Sequence, residues 1–247
     1  MGICKLCLQE AVLLKKSHII PDFMYGPLFD ESHKIIKATP KDLIDGDKKR
    51  ISVPSSGEYD QDILCQNCDN KIIGQYESYA RPILYGGFND SKKPIFQTFR
   101  NQNDIGLTEC LNIDYKKFKL FLLSILWRAS ISKRPLFDKI DLDFDEEIIR
   151  KMIITGDAGE ESDFPIFLIR ISDPLFEKSI APPRRSKDPK DRIFEFMIAG
   201  IQYMFYCAKD RTPALVLLAT IKKNNRLLMA HMPRELILDQ RKKAFGV

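Results

Sequence analysis

Apolar residues recur at helical spacing in two stretches of the chain. Ile72, Ile73, Tyr76, Tyr79, Ala80 and Ile83 predict a helix over 69–84. Asp69 falls in its first turn, where the positive end of the helix dipole favours a carboxylate. Phe118, Phe121, Leu122, Ile125, Leu126 and Ala129 form one stripe of a second helix over 115–130, with Asp114 as N-cap. A third helix covers 145–155 and stops at Gly156. Beyond it the period changes. Residues 164–172, 193–198 and 201–208 read as strands, the last two joined by a tight turn at Ala199-Gly200. Residues 215–222 and 226–232 read as a hairpin about Asn224-Asn225, because asparagine tolerates positive φ. The tail, 234–244, reads as a short basic helix. Glycine and proline make 26–58 irregular, and 86–108 reads as irregular too. Residues 181–192 read as an extended loop that Pro182, Pro183 and Pro189 keep out of any sheet.

Together these elements predict an α+β protein. A metal-bearing N-terminal module, 1–108, carries a surface insertion. An α+β domain, 109–247, follows with two helices and a small antiparallel sheet. No internal repeat is visible. Of the 247 residues, 44% are hydrophobic and 30% charged, a balance that excludes wholesale disorder. No window approaches about 18 uninterrupted apolar residues, which excludes a membrane-spanning helix. The first residues match neither a secretory signal nor a myristoylation site, so a cytoplasmic protein is expected. The net charge of +5 permits nucleic-acid binding without demanding it.

Four of the six cysteines form two Cys-x-x-Cys pairs, Cys4/Cys7 and Cys65/Cys68. Two residues between cysteines let both thiolates turn toward one ion, and two such knuckles fill a tetrahedral zinc site. Two unrelated pairs, or a redox dithiol, are the alternatives, and the gap from Cys7 to Cys65 is longer than a simple zinc ribbon uses. Cys110 and Cys207 stand among apolar residues and read as buried small hydrophobes.

Ser17-His18-Ile19-Ile20-Pro21 follows the first knuckle, and Asp60-Gln61-Asp62-Ile63-Leu64-Cys65-Gln66-Asn67-Cys68-Asp69 contains the second. With Cys4-Lys5-Leu6-Cys7, these runs resemble the HNH (ββα-metal) nuclease superfamily in its form with a treble-clef zinc module. The resemblance covers residues 1–85. It implies a structural zinc on Cys4, Cys7, Cys65 and Cys68. It implies His18 as general base, taking a proton from the attacking water. It implies a catalytic Mg or Mn ion with Asp69 as ligand. Asp60 stands where the family has an Asn that orients the histidine. Ser17 replaces the family's metal-ligating Asp, and Asp69 its final His or Asn. The departures leave two readings open: a working variant, or a non-catalytic zinc-stabilised module that binds nucleic acid or a protein.

The implied partner is nucleic acid, DNA ahead of RNA, with a protein partner or a second copy of the chain as further candidates. Arg184, Arg185 and Lys187 in the cationic stretch 181–192 are candidate phosphate contacts, as is the cluster Lys48-Lys49-Arg50; solvated loops have the same composition. His33 reads as solvated or as a replacement zinc ligand, and His231 as structural. Glu77 lies on nearly the same helix face as Asp69 and reads as a cap or salt-bridge partner ahead of a metal ligand, and Trp127 reads as core.

Overall fold

The computed structural model describes residues 1–29, 36–37, 57–87, 93–100 and 105–245. His33 and Lys48-Lys49-Arg50 lie outside them. The described chain is mixed α+β. Two small antiparallel pairs open it: β1 (Gly2–Ile3) with β2 (Glu10–Ala11), and β3 (Ser17–His18) with β5 (Tyr59–Asp60). Helix α1 (Gly74–Tyr85) is led in by wide π-type turns over Asn67–Ile73.

The rest is built on one sheet. β4 (Ile36–Lys37), β6 (Ile95–Arg100), β7 (Gly106–Leu111), β8 (Ile166–Arg170), β9 (Ser179–Arg185), β10 (Ile193–Ile198), β11 (Ile201–Tyr206) and β12 (Arg226–His231) pair in the order β4-β9-β10-β11-β8-β12-β7-β6. The expectation of a small antiparallel sheet is therefore corrected. Among the described residues the sheet has eight strands and is mixed, with β4–β9 and β8–β12 parallel.

Both sheet faces are covered, and the alternation of side chains shows why. In β8, Ile166 and Leu168 join the larger core, while Phe167 and Ile169 join a second cluster on the opposite face. The larger core packs on α2 (Tyr115–Ile131), which is buried nearly all round and capped by the Asp114 side chain accepting from the Lys117 amide. Helix α3 (Asp145–Thr155) packs against α2 and ends at Gly156 in the left-handed region. The second cluster is closed by α4 (Pro174–Glu177), α5 (Ala214–Ala219) and α6 (Arg234–Phe245) through Phe176, Val216, Ala219 and Ile237.

Three local expectations fail. Residues 86–108, read as irregular, contain β6 and the start of β7. Residues 215–222, read as a strand, begin inside α5: Val216 and Ala219 are buried and Leu215 and Leu218 exposed, which is helical spacing. Asn225 does take positive φ, but it turns the chain from a loop into β12. Residues 181–185, read as a loop held off the sheet, lie within β9. β4 covers only Ser179 and Ile180 of its outer edge, so among the described residues the prolines that follow remove no ladder donor from a neighbour on that side. The division expected at 108/109 falls inside β7, and one set of buried side chains runs from Cys4 through Trp127 to Leu227.

Candidate metal centre and the His18 site

The first knuckle is a turn inside the β1–β2 pair. The Cys4 amide donates to the Gln9 carbonyl at 3.0 Å, the Leu8 amide to the Cys4 carbonyl at 2.9 Å, and Leu8 takes positive φ. The second knuckle leads into the helix, with the Asp69 amide on the Cys65 carbonyl at 3.0 Å. Strand-like bonds join the two, Lys5 amide to Ile63 carbonyl at 2.8 Å and Leu14 amide to Leu64 carbonyl at 2.8 Å. The chemistry carried by distant residues is thereby brought to one point: the sulfurs of Cys4, Cys7, Cys65 and Cys68 all lie within 4.8 Å of one another.

This donor set fits a tetrahedral zinc ion. Burial pushes the Cys4 thiol up, but the main-chain amides of Cys7, Cys65 and Leu6 outweigh it and leave Cys4 below the usual thiol value. The Cys65 amide reaches Cys4 Sγ at 3.3 Å. Cys68 is driven the other way, by burial and by the neighbouring sulfurs. Four sulfurs this close cannot all become thiolates unless a cation shares their charge. Among the described residues this is the only such group of metal-ligating side chains; His18, Asp60 and Asp69 do not form another.

His18 lies on the β3–β5 pair, opposite Tyr59, whose ring it meets edge-on at 6.4 Å between centroids. Its Nε2 is 3.9 Å from Asp22 Oδ1. Ser17 lies opposite Asp60 in the same pair, so the two project to the other side of it. Asp60 Oδ2 accepts from the Ser132 hydroxyl at 3.0 Å and the Lys133 amide at 2.8 Å, and Oδ1 accepts from the Gln61 amide at 2.8 Å. Burial raises the Asp60 pKa, but these donors win and hold it below the ordinary carboxylate value. Its bonds thus secure the chain leaving α2 and do not orient the His18 ring.

Asp69 is half-buried. Burial raises its pKa, as does Glu77, while Arg128, the Ser17 hydroxyl and His18 act against the rise. Ser17 Oγ and Asp69 Oδ1 are both shielded from solvent, with the Ser17 hydroxyl facing the Asp69 carboxylate. Arg128 was not singled out from the sequence, although a lone arginine within an apolar helix was the available signal. Its Nη1 donates to the His18 carbonyl at 2.7 Å, and its Nη2 lies 2.8 Å from Glu77 Oε1, which bears out Glu77 as a salt-bridge partner.

The cationic stretch is structural over most of its length. Arg184, read as a phosphate contact, is buried, with Nε 3.5 Å from Glu195 Oε1. Arg185 lies against Asp143 and over the Phe194 ring. Lys187 donates from Nζ to the Lys242 carbonyl at 3.3 Å and is exposed. Cations do gather around the His18 pair: Lys16 lies over the Tyr59 ring, Lys133 follows Ser132 at Asp60, and Arg134 reaches Glu58. His231 bonds Thr108 Oγ1 at 2.7 Å, Trp127 is fully buried, Cys110 is buried and Cys207 half-buried. No helix of the described residues is long and apolar enough to cross a membrane. Comparison with protein-family models, with curated proteins and with solved structures returns no match.

Proposed function

We propose that the chain is a metal-dependent endonuclease of the HNH type, with a structural zinc in a treble-clef setting. The observation that carries this reading is the pairing of a His18-bearing strand pair with a helix bearing Asp69, whose carboxylate lies within electrostatic reach of His18. The proposed substrate is a nucleic acid, DNA ahead of RNA, lying over His18 and Tyr59 with Lys16 and Arg134 beside it. The His18 imidazole takes a proton from water, the water oxygen bonds to phosphorus, and the phosphorus–oxygen bond to the departing alcohol breaks. That alcohol takes its proton from solvent. Asp69 would hold a Mg or Mn ion, which when bound offsets negative charge on the phosphate. Asp60 acts by holding Ser132 and Lys133.

The test is cleavage of DNA and RNA with Mg²⁺ or Mn²⁺ by wild type and His18→Ala. The variant should lose cleavage while keeping its zinc and its melting temperature, because a general base contributes to the transition state and little to the fold. Zinc loss in His18→Ala would make His18 a structural residue. A second reading is favoured by Arg128, whose guanidinium already supplies positive charge beside Asp69 and Glu77. On that reading the module is non-catalytic and binds nucleic acid or a protein. A wild type that cleaves neither substrate, yet retains DNA in a mobility shift, supports it.

A further inference from the structure

Arginine is rarely buried outright, because its charge must be desolvated and each of its five donors needs an acceptor. Arg128 has a side chain only 2% exposed, on a helix that is buried nearly all round. Nε donates to the Ser124 carbonyl at 3.2 Å and Nη2 reaches Ser124 Oγ at 3.4 Å, bonds that fix the guanidinium plane against its own helix. The two outward donors then span two other elements. Nη1 holds the His18 carbonyl in β3, and Nη2 faces Glu77 in α1. The His18 carbonyl is the point where β3 ends. The next amide, Ile19, donates to the Glu58 carbonyl at 3.1 Å and closes the pair. A shift of this peptide would carry the imidazole with it.

We infer that Arg128 is the positioning residue of the His18 site, fixing the His18 peptide relative to the helix that bears Asp69. The inference rests on the nucleolytic reading above. A merely structural ion pair would look the same at Glu77, but it would not need the bond to His18. Removing one member of a buried pair leaves an uncompensated charge, whereas removing both is often tolerated. The informative variant is therefore Arg128→Gln/Glu77→Gln. It should keep zinc content and melting temperature near wild type. Its kcat should fall by about a hundredfold with KM unchanged, the scale of a small misplacement of a catalytic group. Hydrogen exchange at the Ile19 amide should speed up, while amides in α2 stay protected.

Arg128→Lys keeps the charge without the planar fork, and should show the same losses in milder form. It carries the comparison if the double variant does not fold. Wild-type kcat together with wild-type Ile19 protection in these variants overturns the inference. If wild type itself cleaves nothing, the nucleolytic reading fails and Ile19 protection alone decides: faster exchange retains Arg128 as the residue that positions His18, and unchanged exchange overturns it.

Discussion

The ammonium of Lys119 has left water almost entirely. It donates to Tyr115 Oη at 3.0 Å and to the Glu160 carbonyl at 2.7 Å. Burial lowers its pKa to about 8 from 10.5; Lys223 acts the same way, and Asp163, Glu161 and Glu160 oppose it. Above this lowered value and below 10.5, the unfolded chain binds a proton that the folded chain does not, so Lys119 makes stability rise with pH in that window. Other groups titrate there as well. Cys110, for example, is raised by burial to about 12 and works in the opposite direction. Lys119→Met shares those groups and isolates the lysine. The excess stability of the variant over wild type should shrink by up to about 1.4 kcal/mol per pH unit between about pH 8 and 10. Urea unfolding at several pH values reads this directly; a constant difference would show that Lys119 stays charged in the fold. At this scale the sequence announces chemistry better than geometry. Cys-x-x-Cys spacing is a local property, so the four sulfurs were legible. The partners of Asp60 lie at Ser132 and Lys133 and those of Arg128 at His18 and Glu77, contacts that exist only after folding.

Among elements, β9, β10, β11 and α6 are tied by one buried carboxylate. Glu195 is 1% exposed; Arg241 Nε donates to it at 2.9 Å, Gln202 Nε2 bonds it from β11, and Arg184 approaches from β9. Arg241→Ala should cost about 3–5 kcal/mol, the usual loss when a buried charge loses its main partner. Arg184→Ala should cost less, because Arg241 and Gln202 remain at the carboxylate. Chemical denaturation ranks the two, and an Arg241→Ala variant as stable as wild type would show that Glu195 is content without it. The same elements show where sequence patterns stop informing. Helix α3 was legible to the residue, since its apolar period and Gly156 agree. Strand β6 gave no signal because all six of its residues are exposed, so neither face carries a run of core positions; pairing with β7 alone defines it. The apolar run of α5 suits a buried strand equally well, and only burial of Val216 and Ala219 on one side distinguishes helix. In β9 the prolines were read as excluding a strand, when an edge accepts them.

For the whole molecule the question is whether the cysteine cluster folds as a separate unit. The contacts argue that it does not. Arg150 on α3 bonds the Leu6 carbonyl inside the first knuckle, and Tyr76 Oη on α1 donates to the Ile153 carbonyl of α3 at 3.1 Å. Cys4, Leu6, Cys65 and Cys68 belong to the same buried cluster as Trp127, the single tryptophan, which is fully buried in α2. Metal-binding free energy is folding free energy where the ligands come from distant parts of the chain, and a continuous core passes its loss onward. Purified protein is therefore expected to carry about one zinc per chain. Cys65→Ser, or a strong zinc chelator, should lower the melting temperature of the entire chain. Zinc release, followed with a colorimetric dye, should coincide with the change in Trp127 fluorescence as chelator is added. A separate early release, with Trp127 fluorescence unchanged until a later transition, would mean that residues 1–85 unfold on their own. Folded protein without zinc would remove the metal from the account altogether.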